Sequence, residues 1–220
     1  KISLKKNQNN PWYVKLIRPY PMMKLLLALT GTLILVFVII QLYAKKSQKS
    51  IETYPYSVIK TYDDFEIRQY ESRLFTAVTL PSNEYDKVSS KGFSILAGYI
   101  FGGNENQEKI AMTSPVAMSL EDSMTMMFMV PKNNENSLPK PNDNQIQFKK
   151  EPAKMVAAVT FGGWANQSKI EQHKIKLIAL LQKQQITHSN QFYFLGYNAP
   201  FETYNRRNEV IVVLDDFSFK

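Results

Sequence analysis

Apolar and polar residues alternate along several short stretches between about residues 65 and 214, and a period of two residues is typical of β-strands with one buried face. Two longer stretches of the same region carry apolar residues at helical spacing instead. The first predicted helix begins near Ser82 and ends at Gly102 and Gly103, and the second begins at a capping box, Ser-Lys-Ile-Glu, at residues 168–171. The predicted strands are residues 65–70, 74–80, 112–118, 124–130, 146–148, 155–161, 192–200 and 209–214.

The same order of elements occurs twice along this region. The offset between the two copies is nearly constant, since Val78 and Val159 are 81 positions apart and Pro115 and Pro200 are 85 apart. A segment rich in Asn, Pro, Ser and Lys, residues 132–144, joins the copies as a loop. The pattern predicts an α+β fold of duplicated βαββ units, whose strands share one sheet system and leave a cleft between sheet and helices. Clefts of this kind suit apolar ligands.

An uncharged apolar run of 20 residues, 25–44, precedes the duplicated region. As a helix it would span about 30 Å, the thickness of the hydrocarbon core of a bilayer. We predict a single-pass membrane protein with an N-terminal extension over 1–24, a transmembrane anchor over 25–44, a tether over 45–57 and a folded domain over 58–216. A cleavable signal peptide is the alternative, although the sequence supplies only half of a small-x-small cleavage site. A buried core helix is disfavoured because the run is apolar on all faces.

The side of the membrane that carries the domain depends on where the protein starts. Met22 and Met23 directly before the apolar run resemble a translation start, in which case residues 1–21 are an upstream extension. With that extension six basic residues precede the run and three follow it, so the positive-inside rule places the domain outside. A start at Met22 leaves Lys24 alone before the run, and the rule then favours the reverse.

The formal charge of +8 comes from the N-terminal region, not from the predicted domain. The first 50 residues hold nine of the 27 Lys and Arg and no acidic residue, which leaves 18 basic and 19 acidic residues in the remainder. A nearly neutral domain gives little support for nucleic-acid binding, so no nucleic-acid partner is predicted. The absence of cysteine from the sequence excludes disulfides, thiolate metal sites and thiolate nucleophiles.

Few residues offer chemistry of their own. His173 and His188 are the only histidines and fit no metal-binding or catalytic motif, so neither a catalytic residue nor a metal site is predicted. Six of the nine methionines fall between Met112 and Met129. On a strand Met126 and Phe128 share one face and Met127 and Met129 the other, and we interpret these residues as core or pocket lining, not as metal ligands.

Five short motifs, taken in order, resemble those of the SOUL haem-binding protein family, over about residues 52–214. They are F-E-I-R-Q-Y at 65–70, G-Y-I-F-G-G-N at 98–104, K-I-A-M-T-S-P-V at 109–116, G-Y-N-A-P at 196–200 and R-N-E-V at 207–210. The resemblance implies a distorted antiparallel β-barrel flanked by two helices, the architecture of effector-binding domains. It also implies haem or porphyrin binding in an apolar groove between the first helix and the sheet.

We therefore expect a membrane-anchored protein that binds haem or another tetrapyrrole reversibly, as a carrier or buffer. The alternatives are a module that binds a non-haem effector or a protein on the same fold, and an enzyme that modifies porphyrins. The predicted wall residues of the groove are Phe93, Leu96, Ile100, Met112 and Met127. Lys91 and Lys109 are the predicted cations for the propionates at its rim.

Overall fold

The structure, a computed structural model, describes residues 21–48, 51–121 and 123–215. Residues 1–20 of the predicted N-terminal extension lie outside this range, as do residues 49 and 50 of the predicted tether. The chain divides into two compact units, Lys1–Lys46 and Ser47–Lys220. We describe each unit by itself.

The first unit contains helix α1, Pro21–Gln48. Its segment Met23–Leu42 has a mean hydropathy of 2.7 and no buried residues. By length and composition this segment is able to span a membrane, and a signal sequence near an N-terminus would meet the same criteria. The hydroxyl of Thr30 donates to the carbonyls of the preceding turn, and Thr32 donates to Ala28. These polar side chains are therefore satisfied within the helix, as an apolar environment requires.

The second unit is a curled antiparallel sheet with two helices on one of its faces. The helices are α2, Tyr85–Ile100, and α3, Gln167–Lys183. The strands are β1 Glu52–Thr53, β2 Tyr56–Thr61, β3 Glu66–Tyr70, β4 Arg73–Thr79, β5 Thr113–Ser114, β6 Val116–Ser119, β7 Thr125–Met129, β8 Ile146–Glu151, β9 Lys154–Gly162, β10 Phe192–Gly196 and β11 Arg207–Val213. A short 3-10 turn, Lys132–Asn134, follows β7 in the predicted loop between the halves.

The strand order confirms the duplication. Among the described residues nine strands form one sheet in the order β2-β3-β9-β11-β10-β6-β7-β4-β8, while β1 pairs with β5 separately. The first half, β3-β4-α2-β6-β7, corresponds element by element to the second, β8-β9-α3-β10-β11. When every strand in the series β3-β9-β11-β10-β6-β7-β4-β8 is replaced by its counterpart in the other half, the result is the same series in reverse order. A pseudo-twofold axis therefore passes between β6 and β10, and the first strand of each half pairs with the second strand of the other half.

Side chains on the two faces of the sheet build two separate cores, because successive residues of a strand point to opposite faces. The helices cover the first core, which includes Leu96, Met126 and Phe128. The second core lies on the concave face, where Tyr54, Tyr70, Phe75, Met127 and Met129 pack together. Every buried apolar side chain of the described residues lies between Tyr54 and Leu214, so the second unit has a hydrophobic core of its own.

Three details differ from the sequence-based expectations. Residues 65–80 form two strands in distant parts of the sheet, so each half is ββαββ. The domain includes residues before the predicted boundary at residue 58, because β1 pairs with β5 in a separate two-stranded sheet and Tyr54 belongs to the concave core. Helix α3 begins at Gln167, and its N-cap is Asn166, whose side chain accepts from the amide of Lys169, so the predicted capping box is not formed.

Candidate functional site

A groove of about 420 Å³ lies on the helix-covered face, between α2 and the centre of the sheet. Its floor is a row of side chains across three neighbouring strands. Met126 on β7 lies opposite Met118 on β6, and Met118 lies opposite Phe194 on β10. The next row across the sheet contributes Val116 and Gly196, which lie opposite each other on β6 and β10. Because alternate residues of a strand point to the same face of the sheet, these side chains all point toward α2, and together they make the floor of the groove apolar.

The wall of the groove is one side of α2. Tyr85, Ser89 and Phe93 lie four residues apart and therefore share a side of the helix, and Ser90 and Ser94 extend it. The ring of Phe93 packs against Phe128 at 5.3 Å between centroids. Because serines are small, this side of the helix leaves space above the floor that larger side chains would fill.

The N-termini of the two helices are bound to each other beside the groove. The amide of Tyr85 donates to the side-chain carbonyl of Gln167 at 2.6 Å, and the amide of Gln167 lies 3.3 Å from both oxygens of Asp86. The ring of Tyr85 packs edge-on against Phe194 at 5.2 Å. These contacts fix the distance between α2 and the floor at this end of the groove.

The mouth of the groove is bordered by two loops, residues 163–166 and 197–206, which we call the aromatic tip. The guanidinium of Arg206 lies 4.0 Å from the centre of the Trp164 ring, a cation–π contact between the two loops. The side-chain amide of Asn208 donates to the carbonyl of Gly163 at 2.8 Å, which gives a second connection. Trp164, Arg206 and Asn208 all line the groove.

Arg206 supplies a positive charge at this mouth. Its Nη1 donates to the carbonyls of Ala199 and Glu202, whereas its Nε is buried and has no hydrogen-bond partner among the described residues. Burial lowers the pKa of Arg206, and Glu202 and Tyr85 oppose that effect. An arginine remains charged at neutral pH in any protein. The lining of the groove therefore includes a guanidinium cation beside an apolar floor.

The residues that line the groove offer no strong ligand for a metal. Neither histidine lines it: His173 stacks on Phe161 at 4.1 Å, and His188 lies in a separate surface depression. The sulfur atoms available at the floor belong to Met118 and Met126, and a thioether is a weak ligand. No cluster of three or more His, Asp or Glu that could hold a metal ion occurs in the part of the chain that the structure describes. The groove thus suits a large apolar ligand with an acidic edge.

Comparison with known proteins decides which family this is. The SOUL heme-binding protein family model matches residues 51–213. The chain belongs to the SOUL haem-binding protein family. Heme-binding protein 1 of Xenopus laevis is 29% identical over 154 residues, covering 66% of this chain and 81% of that protein. Heme-binding protein 2 of Mus musculus is 28% identical over 159 residues, covering 68% of this chain and 77% of that protein.

The fold of the SOUL domain also occurs in solved structures of distant sequence. The crystal structure of the EcmrR C-terminal domain has a TM-score of 0.55 at 9% identity, covering 74% of this chain and 99% of that chain. EcmrR in its complex with DNA gives a TM-score of 0.53 at 11% identity, covering 88% of this chain and 70% of that chain. These likenesses confirm the effector-binding-like architecture and extend to the fold alone.

The structure brings one of the predicted wall residues, Phe93, into the groove of the SOUL domain. Leu96 is fully buried in the core beneath α2. Ile100 and Met112 line a different cavity, about 10 Å³ in volume and large enough for about one water molecule, at the C-terminal end of α2. Met127 lies on the opposite, concave face of the sheet.

The two predicted rim cations are exposed and do not line the groove either. Lys91 lies on the solvent side of α2, and Lys109 follows its C-terminal end. The groove residues that the sequence-based prediction missed include Met118, Met126, Trp164, Phe194 and Arg206. One signal in the sequence could have indicated this side of α2. Ser89, Ser90, Phe93 and Ser94 are spaced so that one side of the helix carries small residues next to an aromatic residue.

The concave face of the SOUL domain carries a buried cluster of charges instead of an open groove. Glu209 accepts two hydrogen bonds from Arg68, at 2.8 and 3.1 Å, and also accepts from Arg207, Thr160 and the hydroxyl of Tyr197. Burial alone would raise the pKa of Glu209, but the hydrogen bonds and charges of the two arginines outweigh it and hold that pKa below its ordinary value. Burial raises the pKa of Tyr197, so its hydroxyl stays a neutral donor. This satisfied network is a structural element of the sheet.

Proposed function

We propose that this SOUL-family protein binds haem or another tetrapyrrole reversibly in the groove beside α2, as a carrier or buffer. The observation that supports this most is the row of Met126, Met118 and Phe194 open to a groove whose mouth holds Arg206. A tetrapyrrole has two broad apolar faces and a carboxylate edge, so it needs an apolar wall and a cation on one side. The names of the relatives, which are heme-binding proteins, agree with this ligand class.

Each part of the groove has a role in this proposal. The floor row and Phe93 pack against the apolar faces of the ring, and each square ångström of apolar surface removed from water contributes roughly 25 cal/mol. The guanidinium of Arg206, which lines the mouth of the groove, pairs with a propionate, a charge-assisted interaction. The serines of α2 leave room for the ring. When haem is the ligand, its iron supplies whatever redox or ligand chemistry follows, and the groove residues provide binding and orientation.

Reversible binding follows from the same residues. Neither histidine nor cysteine lines the groove, so the complex depends on packing and on one ion pair, without a strong bond to iron. A site of this kind releases its ligand to a partner whose binding site has a higher affinity for it, which is what a carrier or buffer requires. Helix α1, by its length and composition, holds the protein to a membrane in this proposal.

The test is a titration of residues 51–220, which contain every buried apolar side chain of the described residues, with haem and with metal-free protoporphyrin. Both should bind at a ratio of one to one and change the Soret absorption and the fluorescence of Trp164. Obstruction of the groove from either side should abolish binding. Ser94→Trp fills it from the helix, and Gly196→Leu fills it from the floor, where an added Cβ meets only the Phe194 ring, at 3.4 Å.

The matched control is Lys91→Trp, which places the same side chain on the same helix outside the groove. This variant should bind like the parent protein, and thermal unfolding should show that all three variants are folded. Unchanged binding in both obstructed variants would reject the groove as the site. Absence of any spectral change at micromolar ligand would reject tetrapyrrole binding itself.

A further inference from the structure

The aromatic tip exposes three large aromatic side chains, one of which, Trp164, lines the groove. Trp164 is 52% exposed, Phe201 is 58% exposed and Tyr204 is 82% exposed. Trp164 belongs to the loop between β9 and α3, and the other two belong to the loop between β10 and β11. A soluble surface rarely concentrates large aromatic side chains in this way unless it binds something.

The charged side chains in and beside the tip include two partly exposed cations, Arg206 and Lys169. Arg206 lies over the Trp164 ring, and the ammonium of Lys169 donates to the carbonyl of Trp164 at 3.1 Å. Glu202 is the one acidic residue in the two segments of the tip, and its side chain is buried and accepts from Asn198 at 2.7 Å. Aromatic rings together with arginine and lysine are the residues that proteins place at the boundary between lipid headgroups and acyl chains.

The chain itself carries the segment that would bring this tip to a bilayer. Residues 49–51 are all that separates the end of α1 from β1, a connection on the order of 15 Å when extended. Where α1 anchors the chain in a bilayer, as proposed above, the domain meets lipid at a high effective concentration, so weak insertion of a few aromatic side chains is sufficient for docking. A large aromatic side chain removes about 150–250 Å² of surface from water when it is fully buried, so a few of them provide a substantial driving force for insertion.

We propose that the aromatic tip docks into the headgroup region of a lipid bilayer, so that the mouth of the groove opens toward the membrane. Phe201 and Tyr204 insert beside Trp164, and Arg206 and Lys169 meet the lipid phosphates. The biological role of this docking rests on the proposed function, because a tetrapyrrole dissolved in the membrane could then enter the groove without crossing bulk water. The docking itself is tested without any tetrapyrrole.

The experiment uses the fluorescence of Trp164 in the full chain. The protein has two tryptophans, and Trp12→Phe leaves Trp164 as the only one. The full chain is reconstituted into vesicles of phosphatidylcholine with a minor share of phosphatidylglycerol, with and without bromine on the acyl chains of the phosphatidylcholine. Docking predicts that bromolipid quenches Trp164 at least about twofold and that acrylamide, a water-soluble quencher, becomes correspondingly less effective.

Substitutions on the tip and away from it make the result specific. Phe201→Ser combined with Tyr204→Ser should reduce the quenching by bromolipid to less than about half of its parental value. Phe101→Ser is the matched control, because Phe101 is 66% exposed but belongs to neither the tip nor the groove, and it should leave the quenching unchanged. Equal loss in both variants would contradict docking through the tip.

Failure of this inference and failure of the proposed function give different results. If bromolipid does not quench Trp164, docking is wrong, even when tetrapyrrole binds. If acrylamide is excluded while bromolipid has no effect, another protein surface, such as a second copy of the chain, covers the tip, and docking is again wrong. If bromolipid quenches Trp164 and the tip variant reverses it, docking stands, even when no tetrapyrrole binds to the groove.

Discussion

The guanidinium of Arg68 and the carboxylate of Glu209 bind each other through two hydrogen bonds across the strand that separates them. Arg68 lies on β3 and Glu209 on β11, with β9 between. The side chain of Arg68 is 3% exposed and that of Glu209 is fully buried, so water screens neither charge. Loss of Glu209 would leave the buried guanidinium of Arg68 with only the partly exposed carboxylate of Glu66, 2.7 Å from its Nε, as a counter-charge. Breaking a buried pair in this way costs more than the pair itself contributes.

Replacement of Glu209 by glutamine should therefore destabilise the SOUL domain strongly. Glu209→Gln removes the fully buried counter-charge that Arg68 and Arg207 share, and we expect a loss of about 3 kcal/mol in the free energy of unfolding. Urea denaturation of residues 51–220 measures it. Glu71→Gln is the control, because Glu71 pairs with Arg73 while 59% exposed and should cost less than about 1 kcal/mol. Equal costs at the two positions would contradict the structural role of the buried pair.

The stability of the domain should fall as the pH drops into the acidic range. The folded-state pKa values of Glu209 and Glu151 lie below the ordinary value of 4.5, because nearby arginine and lysine side chains outweigh burial, which acts to raise them. A carboxylate with a lowered folded-state pKa stabilises the protein above its unfolded-state pKa, and this contribution disappears as the pH falls through the folded-state value. Urea midpoints should therefore decrease from about pH 5 downward.

Glu209→Gln is also the variant that checks the source of this pH dependence. Glutamine does not titrate, so the variant should lose less stability between pH 5 and pH 3 than the parent protein does. A parallel decrease in both proteins would mean that other carboxylates cause the acid sensitivity.

Iron should contribute little to the affinity of the groove for a tetrapyrrole. The sulfur atoms of Met118 and Met126 are weak ligands, and burial raises the pKa of the Tyr85 phenol, which disfavours the phenolate form that binds iron. Haem and metal-free protoporphyrin should therefore bind with dissociation constants within about threefold of each other, a difference of less than about 1 kcal/mol. Parallel titrations of residues 51–220 measure both constants. Met126→Leu keeps the apolar floor and should leave the Soret band of the haem complex in place. If haem bound more than about 30-fold more tightly than metal-free protoporphyrin, a residue outside the described lining of the groove would be binding the iron.

Arg206 should select tetrapyrroles that carry a free carboxylate. We expect Arg206→Ala to weaken protoporphyrin binding about 10-fold or more, since a hydrogen bond to a charged group contributes about 1.5–3 kcal/mol. Protoporphyrin dimethyl ester lacks the negative charges, so its affinity should change by less than about twofold between the parent and this variant. Fluorescence titration of both ligands gives the comparison.

Two exposed lysines provide the control for the effect of Arg206. Lys91→Ala and Lys109→Ala remove positive charges that lie outside the groove, and neither should change the protoporphyrin affinity by more than about twofold. If these variants weakened binding as much as Arg206→Ala did, the rim of the site would lie at the lysines, as the sequence alone had indicated.

The duplicated fold was predictable because its signals are local. A period of two marks the strands, and the two halves repeat it with a nearly constant offset. The division of residues 65–80 between β3 and β4 was not predictable in the same way. The break at Glu71 and Ser72 leaves the apolar pattern nearly continuous, while the sheet positions of the two strands depend on pairing with β9 and β8 in the other half.

The groove was less predictable than the fold, for reasons that particular residues show. Alternation separates Met126 from Met127, but it does not say which face of the sheet receives α2, and the structure places Met126 there. The apolar stripe of α2 contains Leu96, which packs inward, and Phe93, which lies at the edge and reaches the groove. Arg206 follows Phe93 by 113 positions and reaches the groove only because the loop between β10 and β11 folds back over Trp164.

The exchange of β3 and β8 between the halves bears on how such a protein could arise. Two identical half-length chains that swapped their first strands would form every one of the pairings from β3 to β8, because each half already depends on the other for its outer strand. Fusion of two gene copies through a linker such as residues 132–144 would convert that swapped dimer into a single chain without altering a single pairing. In such a fused chain the two halves can diverge independently, and here the apolar groove with Arg206 at its mouth lies beside the helix of the first half, α2.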